Sequence, residues 1–283
     1  MASGERVRVA VYRREVAASL ERVLENVRDW EHLPWLHRSS FAGIERLDAG
    51  SWGWRARVAM QPAGVELIVE VRIDPDGSRY VTRTVEGPGA GTEIWTDLEL
   101  RAASRTGIRV EFRVPDVAPQ HAADLGAAYV RLYTRLWDED ESMMVERQAR
   151  LAERPRRSGA DPEPLDLGPL DSVRARLPLR VAWGGRSYRV VDVDGELRAH
   201  ATVCPHWLGP LDAASVEADG SVRCPWHGYR FDVRTGRSCD GRALRLDRAP
   251  RVCVDPETSR VRLDRASPSP SEERGRGPAG LPG

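Results

Sequence analysis

Cys204-Pro205-His206 and, after seventeen further residues, Cys224-Pro225-Trp226-His227 form the stretch that decides the reading of the C-terminal part of this chain. Two short arms on separate loops would bring two thiolates and two imidazoles to one spot. That donor set suits a pair of irons, one held by the thiolates and the other by the neutral imidazoles. Imidazole in place of thiolate raises the reduction potential to roughly −150 to +300 mV. A Cys2His2 zinc site draws on the same donors, so ligand type alone leaves both metals open.

The flanks narrow the choice. Trp207-Leu208-Gly209-Pro210-Leu211 follows the first arm, and Gly228-Tyr229-Arg230-Phe231-Asp232 with Thr235-Gly236 follows the second. A zinc ribbon has no use for that continuation. The segment resembles the Rieske [2Fe-2S] domain of the ferredoxin and oxygenase branch. The resemblance implies a cluster bound by Cys204, His206, Cys224 and His227. No cysteine sits beside either arm, so the disulfide of the cytochrome bc-type branch is missing. Cys239 and Cys253 are expected as small buried hydrophobes of the same domain.

Upstream, Val7 to Val16 alternates as a strand does, and Leu20, Val23, Leu24 and Val27 then recur at helical spacing. Pro34 is expected to break that helix, because it lacks an N–H and clashes with the preceding turn. On a straight helix His32 and His37 would diverge by about 140°, and a break lets them converge. Short alternating segments follow at Gly43–Leu47, Gly53–Met60, Val65–Ile73, Arg79–Glu86, Thr92–Arg101 and Gly107–Val114, with turns at Asp74–Gly77 and Gly87–Gly91. A long helix is expected from Ala122 to Glu153. Strand, helix, antiparallel meander and long helix in that order predict an α+β layer. It resembles the START-like helix-grip fold, whose sheet and helix enclose a ligand cavity.

Pro155, Pro162, Pro164 and Pro169 among many charges predict a linker. Strands resume at Leu179–Trp183, Tyr188–Val193 and Leu197–Thr202, with Asp194-Gly195 as a hairpin turn. Others are expected near Leu244–Leu246, Val252–Val254 and Val261–Leu263. The expected organisation is a helix-grip domain over 1–153, a linker over 154–176, an all-β Rieske domain over 177–265 and a disordered tail over 266–283.

The stretch Glu25-Asn26-x-x-Asp29-x-x-His32-x-x-x-x-His37 resembles the iron-binding signature of Rieske non-haem iron oxygenases. That resemblance implies a mononuclear Fe(II) on His32 and His37, completed by a carboxylate from the long helix into a two-His-one-carboxylate triad with open positions for oxygen. Asp140 is the expected carboxylate, with Glu141 and Asp138 as the other candidates in Asp138-Glu139-Asp140-Glu141. Asp29 is expected to bridge a cluster histidine and an iron histidine. Without the resemblance, a His pair on an amphipathic helix and an acidic run are ordinary wet helix faces. His121 and His200 receive no role. The domain order is the reverse of that family's.

The implied activity is oxygenation of an organic, aromatic or cyclic substrate with O2, fed by an NAD(P)H-dependent reductase or a ferredoxin, with a homotrimer as the family's assembly. The alternative is a ferredoxin-like electron carrier fused to a ligand-binding module without a second iron. Composition sets the outer bounds. The 283 residues carry 43 basic and 43 acidic side chains, and every basic one is Arg. Zero net charge gives no pull toward nucleic acid or a membrane surface. No run approaches the ~20 apolar residues of a membrane span. Four cysteines, two of them in the arms, fit a reduced cytoplasmic location.

Overall fold

The computed structural model describes residues 5–153 and 162–265. The expected tail over 266–283 and the first part of the expected linker lie outside the described residues. The chain divides into two compact units: Met1–Glu153 with Trp226–Gly228, and Arg154–Pro225 with Tyr229–Gly283. No helix among the described residues is long and apolar enough to cross a membrane.

The first unit opens with β1 (Arg6–Val16), α1 (Leu20–Arg28) and α2 (Leu33–Leu36). Six strands follow: β2 (Phe41–Gly50), β3 (Gly53–Met60), β4 (Glu66–Ile73), β5 (Arg79–Glu86), β6 (Glu93–Ala102) and β7 (Arg105–Pro115). The 34-residue α3 (Pro119–Ala152) closes the unit. All seven strands form one antiparallel sheet in the order β1-β7-β6-β5-β4-β3-β2. This is a helix-grip arrangement, α+β in class. Its core lies between sheet and helices and includes Val23, Val58, Val110, Phe112, Trp137 and Met144. Truncating a side chain such as Phe112 there costs about 3–5 kcal/mol. Gly126 lets α3 press onto β1, since a Cβ at that position would come within 2.4 Å of the Val9 carbonyl oxygen.

The outer face of the sheet is a charge ladder. Arg55 stands opposite Glu70, Glu70 opposite Arg83, Arg83 opposite Glu93, Glu93 opposite Arg113, and Arg113 opposite Arg8. Strand alternation therefore sends arginines and glutamates outward and leaves the hydrophobic and hydroxyl side chains to the inside.

The helix break differs from the expectation. Ser19 caps α1, its Oγ accepting from the Arg22 N–H at 3.3 Å, and α1 already ends at Asp29, five residues before Pro34. Trp54 Nε1 donates to the Val27 carbonyl at 2.8 Å and holds that end in place. Pro34 sits instead in the first turn of α2. A missing N–H costs nothing there, and the fixed φ suits helix initiation.

In the second unit, β8 (Leu165–Pro169) and α4 (Leu170–Arg174) come first. Then follow β9 (Leu179–Trp183), β10 (Arg186–Val193), β11 (Glu196–Ala201), β12 (Ser221–Arg223), β13 (Arg230–Asp232), β14 (Arg251–Val254) and β15 (Arg260–Asp264). They form a β11-β10-β9 sheet, a β12-β13 pair and a β14-β15-β8 sheet. Three expectations are corrected here. The linker does not reach Arg176: Leu165–Pro169 pairs with β15 and α4 follows at once, with Val173 fully buried. Prolines at the rim of a short edge strand mimicked a linker composition. Leu244–Leu246 forms no strand, only a single bridge between Arg237 and Arg245. Cys239 is exposed and Cys253 only half-buried, so neither is a core residue. At the β10–β11 hairpin, Asp194 and Gly195 both take positive φ, 55° and 83°, as a two-residue turn of the primed type requires.

Candidate functional site

The two Cys-His arms repeat one turn. The Cys204 N–H donates to the Gly209 carbonyl at 2.9 Å, and the Cys224 N–H donates to the Tyr229 carbonyl, also at 2.9 Å. Four residues beyond each cysteine the backbone turns left-handed, at Leu208 (φ 64°) and at Gly228 (φ 69°). A left-handed Leu is sterically costly and marks a loop held by its surroundings. Cys204 and Cys224 are buried, and no disulfide forms among the four cysteines. The nearby Cys224 sulfur, and then burial, push the Cys204 thiol well above its ordinary value. Two buried thiols in contact ionise together only against a cation, so the pair fits an iron centre. Nδ1 of His206 and Nδ1 of His227 are likewise buried. The His206 ring stacks on Tyr229 with centroids 4.5 Å apart, and the Arg242 guanidinium lies over the same Tyr229 ring, 3.9 Å from its centroid.

The first unit carries a second constellation. His32, at the N-cap of α2, and His37, at its C-cap, are both buried, with ring centroids 5.2 Å apart. One turn of helix between them brings the rings together. Asp140 arrives from α3. Its Oδ1 lies 3.1 Å from His37 Nε2 and 3.5 Å from His32 Nε2, and the three donor atoms lie within 4.8 Å of one another. Two donors bound at right angles, about 2.1 Å from one metal, stand about 3 Å apart. The two distances from Asp140 Oδ1 are near that value. Of the other carboxylate candidates, Asp138 and Glu141 both pair with Arg14 on β1, and Glu141 also accepts from the Ala17 N–H at 2.7 Å. They are turned away from the imidazoles.

The far ring nitrogens are tied to carboxylates. His37 Nδ1 lies 2.6 Å from Glu139 Oε2, and His32 Nδ1 lies 3.3 Å from Asp29 Oδ2. In His37, an Nδ1–H donated to Glu139 leaves the Nε2 lone pair facing Asp140, the tautomer a metal needs. Asn26 Nδ2 donates to Asp140 Oδ1 at 2.9 Å and sets that carboxylate's orientation. Asp29 also accepts the Glu31 N–H at 3.1 Å, and His227 Nε2, from the Trp226–Gly228 tip counted in this unit, lies 2.5 Å from Asp29 Oδ2.

The electrostatics follow from this packing. Burial pushes Asp140 up, but His37 and His32 outweigh it and hold the carboxyl below the usual range. Burial pushes Asp29 up as well, and His227 and His32 likewise reverse it. Burial lowers His32, yet hydrogen bonds to Asp140 and Asp29 raise it to about 10. A buried cluster of two carboxylates and an imidazole kept cationic is charge-balanced only by a proton or a metal. The roles of Glu139 and Asn26 were not assigned from the sequence. A carboxylate next to a candidate ligand in an acidic run was the available signal for Glu139. His200 is buried on β11, with Nδ1 2.9 Å from the Ala201 carbonyl oxygen.

A cavity of about 310 Å³ opens from this group between sheet and α3.

The model of the Rieske [2Fe-2S] domain matches residues 163–248. Apoptosis-inducing factor 3 of Mus musculus is 40% identical over 58 residues, 20% of this chain and 9% of that protein. The ferredoxin component of the p-cumate 2,3-dioxygenase system of Pseudomonas putida is 34% identical over 79 residues, 26% of this chain and 58% of that protein. The chain thus spans about a tenth and somewhat over half of these two relatives. Among solved structures, a START superfamily protein from Mycobacterium smegmatis is similar over 50% of this chain and 99% of its own, at 20% identity and a TM-score of 0.41. Residues 163–248 form a Rieske domain, and the [2Fe-2S] cluster that such a domain carries fits a set of two thiols and two imidazoles of which Cys204, Cys224 and His227 are buried.

Proposed function

We propose that this chain is the oxygenase component of a Rieske-type two-centre system, with the catalytic unit placed ahead of the cluster unit. Cys204, His206, Cys224 and His227 hold the [2Fe-2S] cluster, and His32, His37 and Asp140 hold a mononuclear Fe(II). When bound, the two groups supply a stored electron and a site where dioxygen is activated to hydroxylate or oxidatively demethylate an aromatic or cyclic substrate. An NAD(P)H-dependent reductase or a ferredoxin renews that electron, in the cytoplasm, and a homotrimer is the assembly this reading carries.

The observation that carries the proposal is the convergence of His32 Nε2, His37 Nε2 and Asp140 Oδ1 within 4.8 Å at the end of a cavity. Around them, Glu139 holds the Nδ1 proton of His37, and Asn26 orients Asp140. Asp29 Oδ2 accepts from His227 Nε2 and lies 3.3 Å from His32 Nδ1, so one carboxylate stands beside a proposed ligand of each centre. Apolar walls keep water away from the reacting face.

The test is a metal count. Anaerobically purified protein is expected to hold three irons and two acid-labile sulfides per chain. His32→Ala is expected to remove one iron and leave the visible spectrum of the cluster unchanged. Two irons and two sulfides in the unaltered protein would end the reading.

A second reading has a specific observation in its favour: the relative from the p-cumate system is a ferredoxin component. In it, the chain is an electron carrier joined to a ligand-binding module, and the same metal count separates the two.

A further inference from the structure

The two imidazoles of the candidate cluster set have neighbours of opposite charge. His227 Nε2 meets the Asp29 carboxylate at 2.5 Å. His206 instead lies against the Tyr229 ring, their planes 28° apart, and the same ring carries the Arg242 guanidinium. A guanidinium carbon 3.9 Å and an imidazole centre 4.5 Å from one centroid would collide on a single face. They therefore cover opposite faces of the phenol ring. Imidazole, phenol and guanidinium form one stacked column.

The chain builds this column locally. Tyr229 is buried, and its backbone carbonyl accepts the Cys224 N–H, which fixes it beside the second arm. Arg242 comes from the loop 238–244, closed at its base by the Ser238 N–H donating to the Leu244 carbonyl at 3.1 Å. Two bonds tie that loop to Arg230, the residue after Tyr229. Asp240 Oδ2 accepts the Arg230 N–H at 2.8 Å, and the Cys239 N–H donates to the Arg230 carbonyl at 2.9 Å. Gly241, at φ 70°, then makes the left-handed turn that precedes Arg242. The loop is anchored on both sides of the ring it covers, while Arg242 itself is exposed to solvent.

A guanidinium keeps its charge at any ordinary pH. Over an aromatic face it is held by the negative quadrupole and draws electron density away from the opposite face. Tyr229 also keeps water off one face of the imidazole, so the charge acts through a ring rather than through solvent. The column is about as long as the Debye length at physiological salt, ~8 Å, so screening leaves part of the field intact. We propose that Arg242, acting through Tyr229 on His206, sets the reduction potential of the cluster and raises it by favouring the state that carries the added electron. This rests on His206 as a cluster ligand and is independent of a mononuclear iron.

Redox titrations of the full chain with dithionite, followed by the visible absorption and EPR signal of the cluster, test this. Arg242→Gln is expected to lower the ratio of reduced to oxidised cluster about threefold at a fixed potential, about 30 mV for a one-electron couple. Arg242→Lys keeps the charge and is expected to stay within about 1.5-fold of the unaltered protein. Tyr229→Phe keeps the ring and is expected to do the same, which separates the stack from any bond made by the phenol. Arg245→Gln removes another exposed guanidinium three residues on and controls for net charge, with an expected change below about 1.5-fold. An Arg242→Gln shift no larger than that of Arg245→Gln, or a Tyr229→Phe shift larger than that of Arg242→Gln, overturns the proposal. Unaltered protein without a cluster spectrum would overturn both the role of His206 and this inference. The expected shifts with only two irons per chain would retire the oxygenase reading and leave the stack standing, and three irons with no effect of Arg242→Gln would do the reverse.

Discussion

The two faces of the seven-stranded sheet both hold buried carboxylates, and they use them in opposite ways. On the outer face Glu111 is 6% exposed and accepts from Arg113 at 2.6 Å, with Arg8 at 3.3 Å and Arg109 also in contact. Behind the inner face Asp140 is 14% exposed and faces two imidazoles. Arginine stays charged at any ordinary pH, so the Glu111 pairing is permanent and has only a structural effect. Imidazole can exchange its proton for a metal, so the Asp140 pairing is convertible. The degree of burial does not separate the two sites. The identity of the partner does.

The sharpest way to break that comparison is at Glu139. If the inner carboxylates position metal ligands, Glu139→Gln loosens the His37 tautomer and is expected to weaken mononuclear iron binding about 10- to 100-fold. Thermal stability should change little. Iron titration of metal-depleted protein measures it, and an unchanged affinity would make Glu139 an ordinary surface acid. The converse change is Glu111→Gln, which leaves three guanidinium groups facing a neutral amide. It is expected to cost about 1–2 kcal/mol in urea unfolding, with iron content unaltered. Loss of iron in this variant would erase the distinction between the faces.

The smallest effect is in pH. The hydrogen bond from Arg113 holds Glu111 at about 2, against burial and with help from Arg109, while its unfolded value is 4.5. Glu70 is held low too: burial raises it, but Arg72 and Arg55 prevail. A depressed carboxylate stabilises the fold fully above its unfolded value and loses that contribution as pH falls through its folded value. Melting temperature is therefore expected to fall between pH 4.5 and 2, with Glu111→Gln removing on the order of 1 kcal/mol of that loss. An equally steep profile in the variant would assign acid sensitivity to other groups.

Legibility in the sequence followed the range of the forces involved. Gly53–Met60, Arg79–Glu86 and Leu179–Trp183 have the bounds that alternation predicts, because each strand has one face against a core and bounding turns nearby. Leu165–Pro169 looked like linker because its order comes from pairing with β15, almost a hundred residues away, and no local pattern encodes that. The end of α1 at Asp29 was hidden for a similar reason. Pro34 drew attention as a breaker, while the Trp54 indole holding the Val27 carbonyl comes from β3.

The sequence alone singled out Cys204, His206, Cys224 and His227 as one candidate donor set, since they lie within two short loops whose spacing constrains their geometry. It also determined which segment of α3 could offer an acid to His32 and His37. Which of Asp138, Glu139, Asp140 and Glu141 does so was a matter for tertiary structure. Successive helical residues point about 100° apart, so four in a row face nearly every direction. The rotation of α3 is set by the burial of Trp137, Met143 and Met144 and by Arg14 drawing Asp138 and Glu141 to β1. A rotation about a helix axis is a property of packing, and a string of acidic residues carries no record of it.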